Sequence, residues 1–235
     1  CQLTREANEQ TYILTCYVYQ GGEQVWLIGT GELEDSRIQI GDMLITSGAD
    51  YGSNFNPSEV IRTPFGPVEM EFDDCNNGRV TMNPSVTGFE DVVLPMRKIV
   101  EVPCDQGLPD PVNATHTGNW YDPSRDGEGF QLAVEGDNGL HVITYYTYLD
   151  GKQVWLIGTG QINEKTIVFE DTIITSGAGF GSAFDAADVE RTPFGTLTLN
   201  LIDCNNATID IDSILPEFPD QAITLQRIVT GACPD

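Results

Sequence analysis

The strongest constraint on this fold is that the chain is written twice. Gln24-Val25-Trp26-Leu27-Ile28-Gly29-Thr30-Gly31 returns 129 residues later as Gln153-Val154-Trp155-Leu156-Ile157-Gly158-Thr159-Gly160. The same offset carries Ile45-Thr46-Ser47-Gly48-Ala49 onto residues 174–178, Arg62-Thr63-Pro64-Phe65-Gly66 onto 191–195, and Asp74-Cys75-Asn76-Asn77 onto 203–206. Aligned without a gap, residues 1–104 and 130–233 are identical at 40 of 104 positions, which makes this a duplication. The period is longer than the roughly 20–50 residues of a solenoid, so each copy is expected to be a domain. The boundaries follow: a first domain at 1–104, a Pro-containing polar linker at 105–117, and a second, complete domain at 118–235.

Within each copy the apolar residues alternate. Phe130, Leu132 and Val134 share one face of a strand, as do Leu197, Leu199 and Leu201, and Ile209 and Ile211. Period two with polar alternates predicts antiparallel strands buried on one side. Turn residues separate them, among them Asp137-Asn138-Gly139, Asp150-Gly151 and Gly21-Gly22. Strands are expected near 118–122, 128–135, 141–149, 153–162, 166–175, 192–203, 207–212 and 222–229. Helical turns are expected only at 57–61 and 185–190. The predicted class is all-β: two tandem antiparallel meanders, each an approximately eight-stranded barrel, with a two-sheet sandwich as the alternative. The opening segment of the second copy, residues 118–129, has no counterpart in the first. The first domain is therefore expected to lack its opening strand. Either a leading segment has been removed, or an unpaired edge must be covered by something else.

The duplication also reads the six cysteines. Cys75 and Cys104 map onto Cys204 and Cys233, giving one staple per copy. Cys1 and Cys16 map onto Phe130 and Tyr145, which a 135–140 hairpin would place opposite each other. A cross-strand disulfide is expected there, replacing an aromatic pair. The rival reading makes Cys1 a lipidated N-terminus. Paired cysteines imply an oxidising compartment, extracellular or cell-surface. Sequons at Asn113 and Asn206 matter only in a glycosylating host.

Composition narrows the partners. Acidic residues number 36 against 11 basic, a net charge of −25 shared evenly by the two halves. So negative a chain is not expected to bind nucleic acid or an anionic membrane directly. No apolar run approaches the roughly 18 residues of a membrane-spanning helix.

The opening Gly118-x-Trp120-Tyr121-Asp122-Pro123-x-x-x-Gly127-x-Gly129-Phe130, with Tyr145-Tyr146-Thr147-Tyr148, Val154-Trp155-Leu156 and Asn205-Asn206-Ala207-Thr208, resembles a largely uncharacterised β domain of secreted bacterial proteins. That family opens G-x-W-W-N-P-x-x-S-G-x-G and continues W-F-T-Y and P-L-W-L-V. The resemblance covers the second copy and, without its opening, the first. It implies an extracellular β module and carries no catalytic residues. Gly118-x-Trp120-Tyr121 is also similar, over a short span, to the first strand of avidin-like and lipocalin-like barrels, which hold small ligands.

Candidate sites are few. Asp122, Ser124, Asp126 and Glu128 set oxygens at alternate positions around Gly127, like the first half of a calcium loop, although Ala133 stands where a closing Glu belongs. The other reading is an Asx/Pro turn. The long loops 47–62 and 176–191 carry Tyr51, Phe55 and Arg62, and Phe180, Phe184 and Arg191. They could grip a glycan or small ligand at a barrel mouth, or the aromatics could plug the barrel while each Arg pairs with a carboxylate. Trp120 and Tyr121 are further ligand candidates; Trp26 and Trp155 are expected in the core. His116 and His141 are isolated in sequence. No G-x-S-x-G occurs and the first copy has no histidine, so no enzyme is expected. The expected function is that of a non-enzymatic surface protein, structural or adhesive. It would self-associate or join another extracellular protein by β-strand augmentation. The alternative is a carbohydrate- or small-ligand-binding barrel.

Overall fold

A computed structural model describes residues 1–6, 10–99, 116–135, 139–231 and 233. In the second copy eight antiparallel strands close into a barrel: β8 (Gly118–Tyr121), β9 (Gly129–Glu135), β10 (Leu140–Leu149), β11 (Lys152–Asn163), β12 (Thr166–Ser176), β13 (Glu190–Leu201), β14 (Asn206–Ser213) and β15 (Gln221–Arg227). The short β8 closes it, pairing Trp120 with Phe130 on one side and with Arg227 on the other. The first copy repeats the order with seven strands: β1 (Gln2–Arg5), β2 (Thr11–Gln20), β3 (Glu23–Glu34), β4 (Arg37–Ser47), β5 (Ile61–Phe72), β6 (Asn77–Met82) and β7 (Val92–Arg97). Among the described residues no strand pairs with the outer edge of β1 or of β7. The second copy thus adopts the barrel, and the first is a curled sheet in which, among the described residues, no strand takes the place of β8.

Both units curl around filled interiors. Phe130, Leu132, Ile143, Leu156, Phe169, Phe194, Leu197 and Ile209 line the barrel, and Leu14, Leu27, Ile38, Met43, Phe65, Val68 and Val80 line the first sheet. Curvature comes from bulges at equivalent places. The β3–β4 ladder breaks between Ile28 and Glu32, and the β11–β12 ladder between Ile157 and Gln161. The repeated Gly-Thr-Gly lies there because the strands cross too closely for a side chain. A Cβ on Gly29 would stand 2.6 Å from Ile40, and one on Gly158 2.6 Å from Thr172.

The repeated Asp-Cys-Asn-Asn is a turn. Asp74 Oδ1 accepts from the Asn76 and Asn77 amides at 2.7 and 2.8 Å, and Asp203 does the same for Asn205 and Asn206. The Asn77 side-chain amide, with these backbone bonds, holds the exposed Asp74 carboxyl below the usual range, and the Asn205 backbone amide with the Asn206 side chain does the same for Asp203. The two expected helical turns are 3-10 turns at Pro57–Glu59 and Ala186–Asp188, capped by Asn56 and Asp185.

The hairpin register is the predicted one: Glu135 faces Leu140 and Phe130 faces Tyr145. The Phe130 and Tyr145 rings stack at 4.2 Å, and at the equivalent place Cys1 is bonded to Cys16. That bond occupies the Cys1 sulfur and displaces the lipidation reading. Cys204 bonds Cys233. The Cys75–Cys104 pairing, the sequon at Asn113 and linker residues 105–115 lie outside the described residues. Disulfides mark the chain as a product of an oxidising compartment.

Candidate functional site

The two copies are not beads on a string. They pack face to face about a pseudo-two-fold axis, and the repeated motifs meet there. Gln24 donates to the Trp155 carbonyl at 2.6 Å and accepts from the Trp155 amide at 3.1 Å. Its counterpart Gln153 donates to the Trp26 carbonyl at 2.9 Å and accepts from the Trp26 amide at 3.1 Å. Tyr19 donates to Thr175 and Tyr148 to Thr46, each at 2.7 Å. Gly22 and Gly177 exchange backbone bonds with the opposite copy, as do Gly151 and Gly48. Side-chain amides that satisfy strand backbone across a buried face give this contact a fixed register.

Aromatic residues fill the remaining space. Trp26 packs on Tyr146 at 5.1 Å and Trp155 on Tyr17 at 5.2 Å. Both tryptophans are buried in a core, as expected, and that core lies between the copies rather than inside either unit. Their strand faces look away from the barrel interior, so without a partner repeat they would stand in water. Glu23 and Lys152 are equivalent positions near the axis and pair at 2.5 Å. Identical residues there would set like charges together. Divergence of the duplicated copies has made the position attractive, although its exposure keeps the gain to about 0–1 kcal/mol.

The long loops cross this interface. Tyr51, from the first copy, enters the second barrel and meets Phe218 at 4.9 Å and Tyr145 at 6.5 Å. Phe180, its counterpart, enters the first core and meets Phe89 at 4.9 Å. The aromatics do plug an interior, each that of the other copy. Phe55 lies under the Arg125 guanidinium, 4.7 Å from ring centre to carbon, and Arg62 pairs with Asp126 at 2.9 Å. Phe184 and Arg191, the counterparts of Phe55 and Arg62, are exposed. Trp120 is buried in the second barrel, its indole donating to the His116 carbonyl at 3.1 Å, and Tyr121 is half-buried. The eight ligand candidates therefore do not form one concave site.

The four proposed calcium ligands do not gather either, because each side chain already has a partner of its own. Asp122 Oδ1 caps its own turn, accepting from the Ser124 amide at 2.8 Å and hydroxyl at 2.7 Å. Asp126 turns out to Arg62. Glu128 turns inward, bonded to Arg125 and accepting from Thr147 at 2.7 Å and Tyr145 at 3.2 Å. Among the described residues no three His, Cys, Asp or Glu side chains converge as a metal site. The segment is an Asx turn that serves as a docking element. Gly127 within it has φ +122°, and a Cβ there would stand 2.7 Å from Val60 of the first copy.

Two buried acids have their carboxyl pKa raised by burial. For Glu128 burial outweighs the pull of Arg125. For Glu6 it outweighs bonds from Asn119 and Thr4 and the charge of Arg227. Glu6 belongs to a polar seam joining the copies: Asn119 donates to Thr4 at 2.6 Å and to Glu6 at 2.7 Å, and Tyr17 donates to Gln131 at 3.0 Å. His116 and His141, isolated in sequence, stack at 6.3 Å, and burial lowers the pKa of each.

Sequence reasoning missed Gln24, Gln153, Tyr19, Tyr148, Thr46 and Thr175. A signal was present: a polar Gln in mid-strand, on the same face as a Trp and retained in both copies, calls for a buried partner. No protein-family model matches this chain, and no curated protein or solved structure matches it significantly.

Proposed function

We propose that this is a non-enzymatic structural or adhesive protein of the extracellular space or cell surface, joined to its neighbours by β-strand augmentation at the edges of its first sheet. The observation that carries this reading is an internal contrast. Two copies of one fold sit in one chain; one is closed, and the other offers two unpaired strand edges among its described residues. Unpaired edges present rows of backbone donors and acceptors that another chain can complete. Disulfides, an acidic surface and the resemblance to a secreted β-domain family support the compartment. The long loops support a structural role over a ligand-binding one, since Tyr51 and Phe180 are spent on locking the copies together and both interiors are filled by side chains.

Electron microscopy and light scattering of the natively isolated protein, with calcium present and with calcium chelated, test the reading. Fibres, arrays or discrete oligomers are expected in both conditions. A monomer at every concentration in both would overturn it.

A further inference from the structure

We propose that the seam between β1 and β7, together with the exposed Phe184–Arg191 surface, is one receptor for a strand-and-turn segment of a second protein chain, with the chemistry of Gly118–Gly129: Gly-x-Trp-Tyr followed by an Asp-Pro-x-Arg-Asp-Gly turn. The inference rests on the augmentation reading above and names its partner.

The molecule itself displays what fits. In the second copy residues 118–129 do three things at once. Strand β8 fills the gap between β9 and β15. The turn then lays Arg125 over Phe55 and onto the Gly52 carbonyl at 3.0 Å. It ends by offering Asp126 to Arg62.

The pseudo-two-fold generates the same footprint on the other side, where no described residue plays the part of 118–129. Strands β1 and β7 occupy the places of β9 and β15 and lack the strand between them. Apolar residues that point inward are left unsealed: Leu94 is 38% exposed where its counterpart Ile223 is 6%, and Leu3 and Met96 are only partly buried where Leu132 and Leu225 are fully covered. Phe184, the match of Phe55, is 51% exposed. Arg191, the match of Arg62, reaches only the Val189 carbonyl among the described residues, at 3.3 Å. Beside Gly181, the match of Gly52, a cleft of about 370 Å³ opens between Phe89, Glu90, Gly179 and Phe180.

The receptor thus asks for an extended strand antiparallel to both β1 and β7. That strand needs a large aromatic to seal the interior, then a turn carrying a guanidinium for the Phe184 face and a carboxylate for Arg191. Four features of separate chemistry, matched by one twelve-residue segment in the same molecule, specify a peptide partner rather than a small ligand. On a surface carrying a net charge of −25, an accessible arginine also directs an incoming acid to this place.

The test uses the whole chain and a synthetic peptide of residues 117–130 added in trans, with binding followed by calorimetry and backbone protection by hydrogen exchange. Saturable one-to-one binding is expected, with new protection at the amides of β1 and β7. Trp120→Ala in the peptide is expected to weaken it at least about tenfold. Arg191→Glu in the protein is expected to weaken it about threefold, and Asp126→Lys in the peptide to restore the loss. Arg191 is exposed, so circular dichroism of the variant checks that its fold is intact.

Absence of binding up to about millimolar peptide, or binding indifferent to both the Trp and the charge reversal, would overturn the receptor. Failures of the two readings separate cleanly. Oligomers that form while the peptide neither binds nor competes would remove this inference and leave assembly through another surface. Peptide binding by a protein that never assembles would keep the receptor and remove the assembly role.

Discussion

Among the described residues the second copy closes and the first does not, though the two share strand order, bulges and turns. The difference lies in the twelve residues 118–129, and it shows that closure of this fold is not a property of its long strands. Seven strands curl because their bulges and glycines bend them. The eighth, four residues long, seals the interior by placing one tryptophan between the first and last strands. A second lesson concerns the interface. Each copy is completed by the other, since Tyr51 and Phe180 lie in exchanged cores, so neither unit has its whole core within its own sequence.

The comparison can be broken most severely at the closing strand. Trp120→Ala should cost about 3–5 kcal/mol, as for large aromatic truncations in a packed core, and should open the second unit to resemble the first. Denaturant unfolding would read the loss, and hydrogen exchange should show deprotection concentrated in β9 and β15. The pair Cys1→Phe with Cys16→Tyr asks whether the first copy accepts the stacked pair of the second. Loss of a crosslink spanning 15 residues removes about 3 kcal/mol, of which aromatic stacking returns about 1, so the variant should fold with a lowered Tm. Failure to fold would mean that the copies differ more around this hairpin than their register shows.

The interface comes next. Gln24→Ala or Gln153→Ala strips three hydrogen bonds, two of them to Trp backbone groups that are left buried and unmet, at about 1–3 kcal/mol each. The double variant should convert one unfolding transition into two as the copies lose their coupling; a single sharp transition with an unchanged m-value would contradict the clasp.

Glu128 has no counterpart among the first copy's residues and tests the closed unit by pH. Burial raises its folded-state pKa above the ordinary 4.5, so its contribution to stability is complete below that value and is lost as pH rises through the folded pKa. Glu128→Gln should therefore flatten the fall in Tm on going upward from about pH 4.5, measured against the parent chain. The smallest effect is expected from Arg62→Ala. Its bridge to Asp126 is 40% and 68% exposed, which limits the loss to about 0–1 kcal/mol.

Much of this architecture was legible in the residues. Alternation located the strands, and the 129-residue offset located the duplication and the Cys1–Cys16 and Cys204–Cys233 pairs. Those features are local, or copy a local pattern at a distance. Trp26 and Trp155 are core residues as expected, but the core they fill was not legible, because a strand pattern says which residues share a face, not which of two apolar faces meets a second domain. Asp122, Asp126 and Glu128 had the spacing of a metal loop, but spacing does not reveal that Arg62, Arg125, Tyr145 and Thr147 claim their oxygens first.

By itself, then, the sequence determined the class of fold, its doubling and its chemistry of crosslinking, because strand periodicity, turn residues and repetition are written along the chain. Only the tertiary structure decided that the copies clasp, that each loop fills the other's core and that, among the described residues, one half of a symmetric interface stands uncovered. Those outcomes depend on which outward faces are complementary in three dimensions, a property of two surfaces together that no single stretch of chain contains.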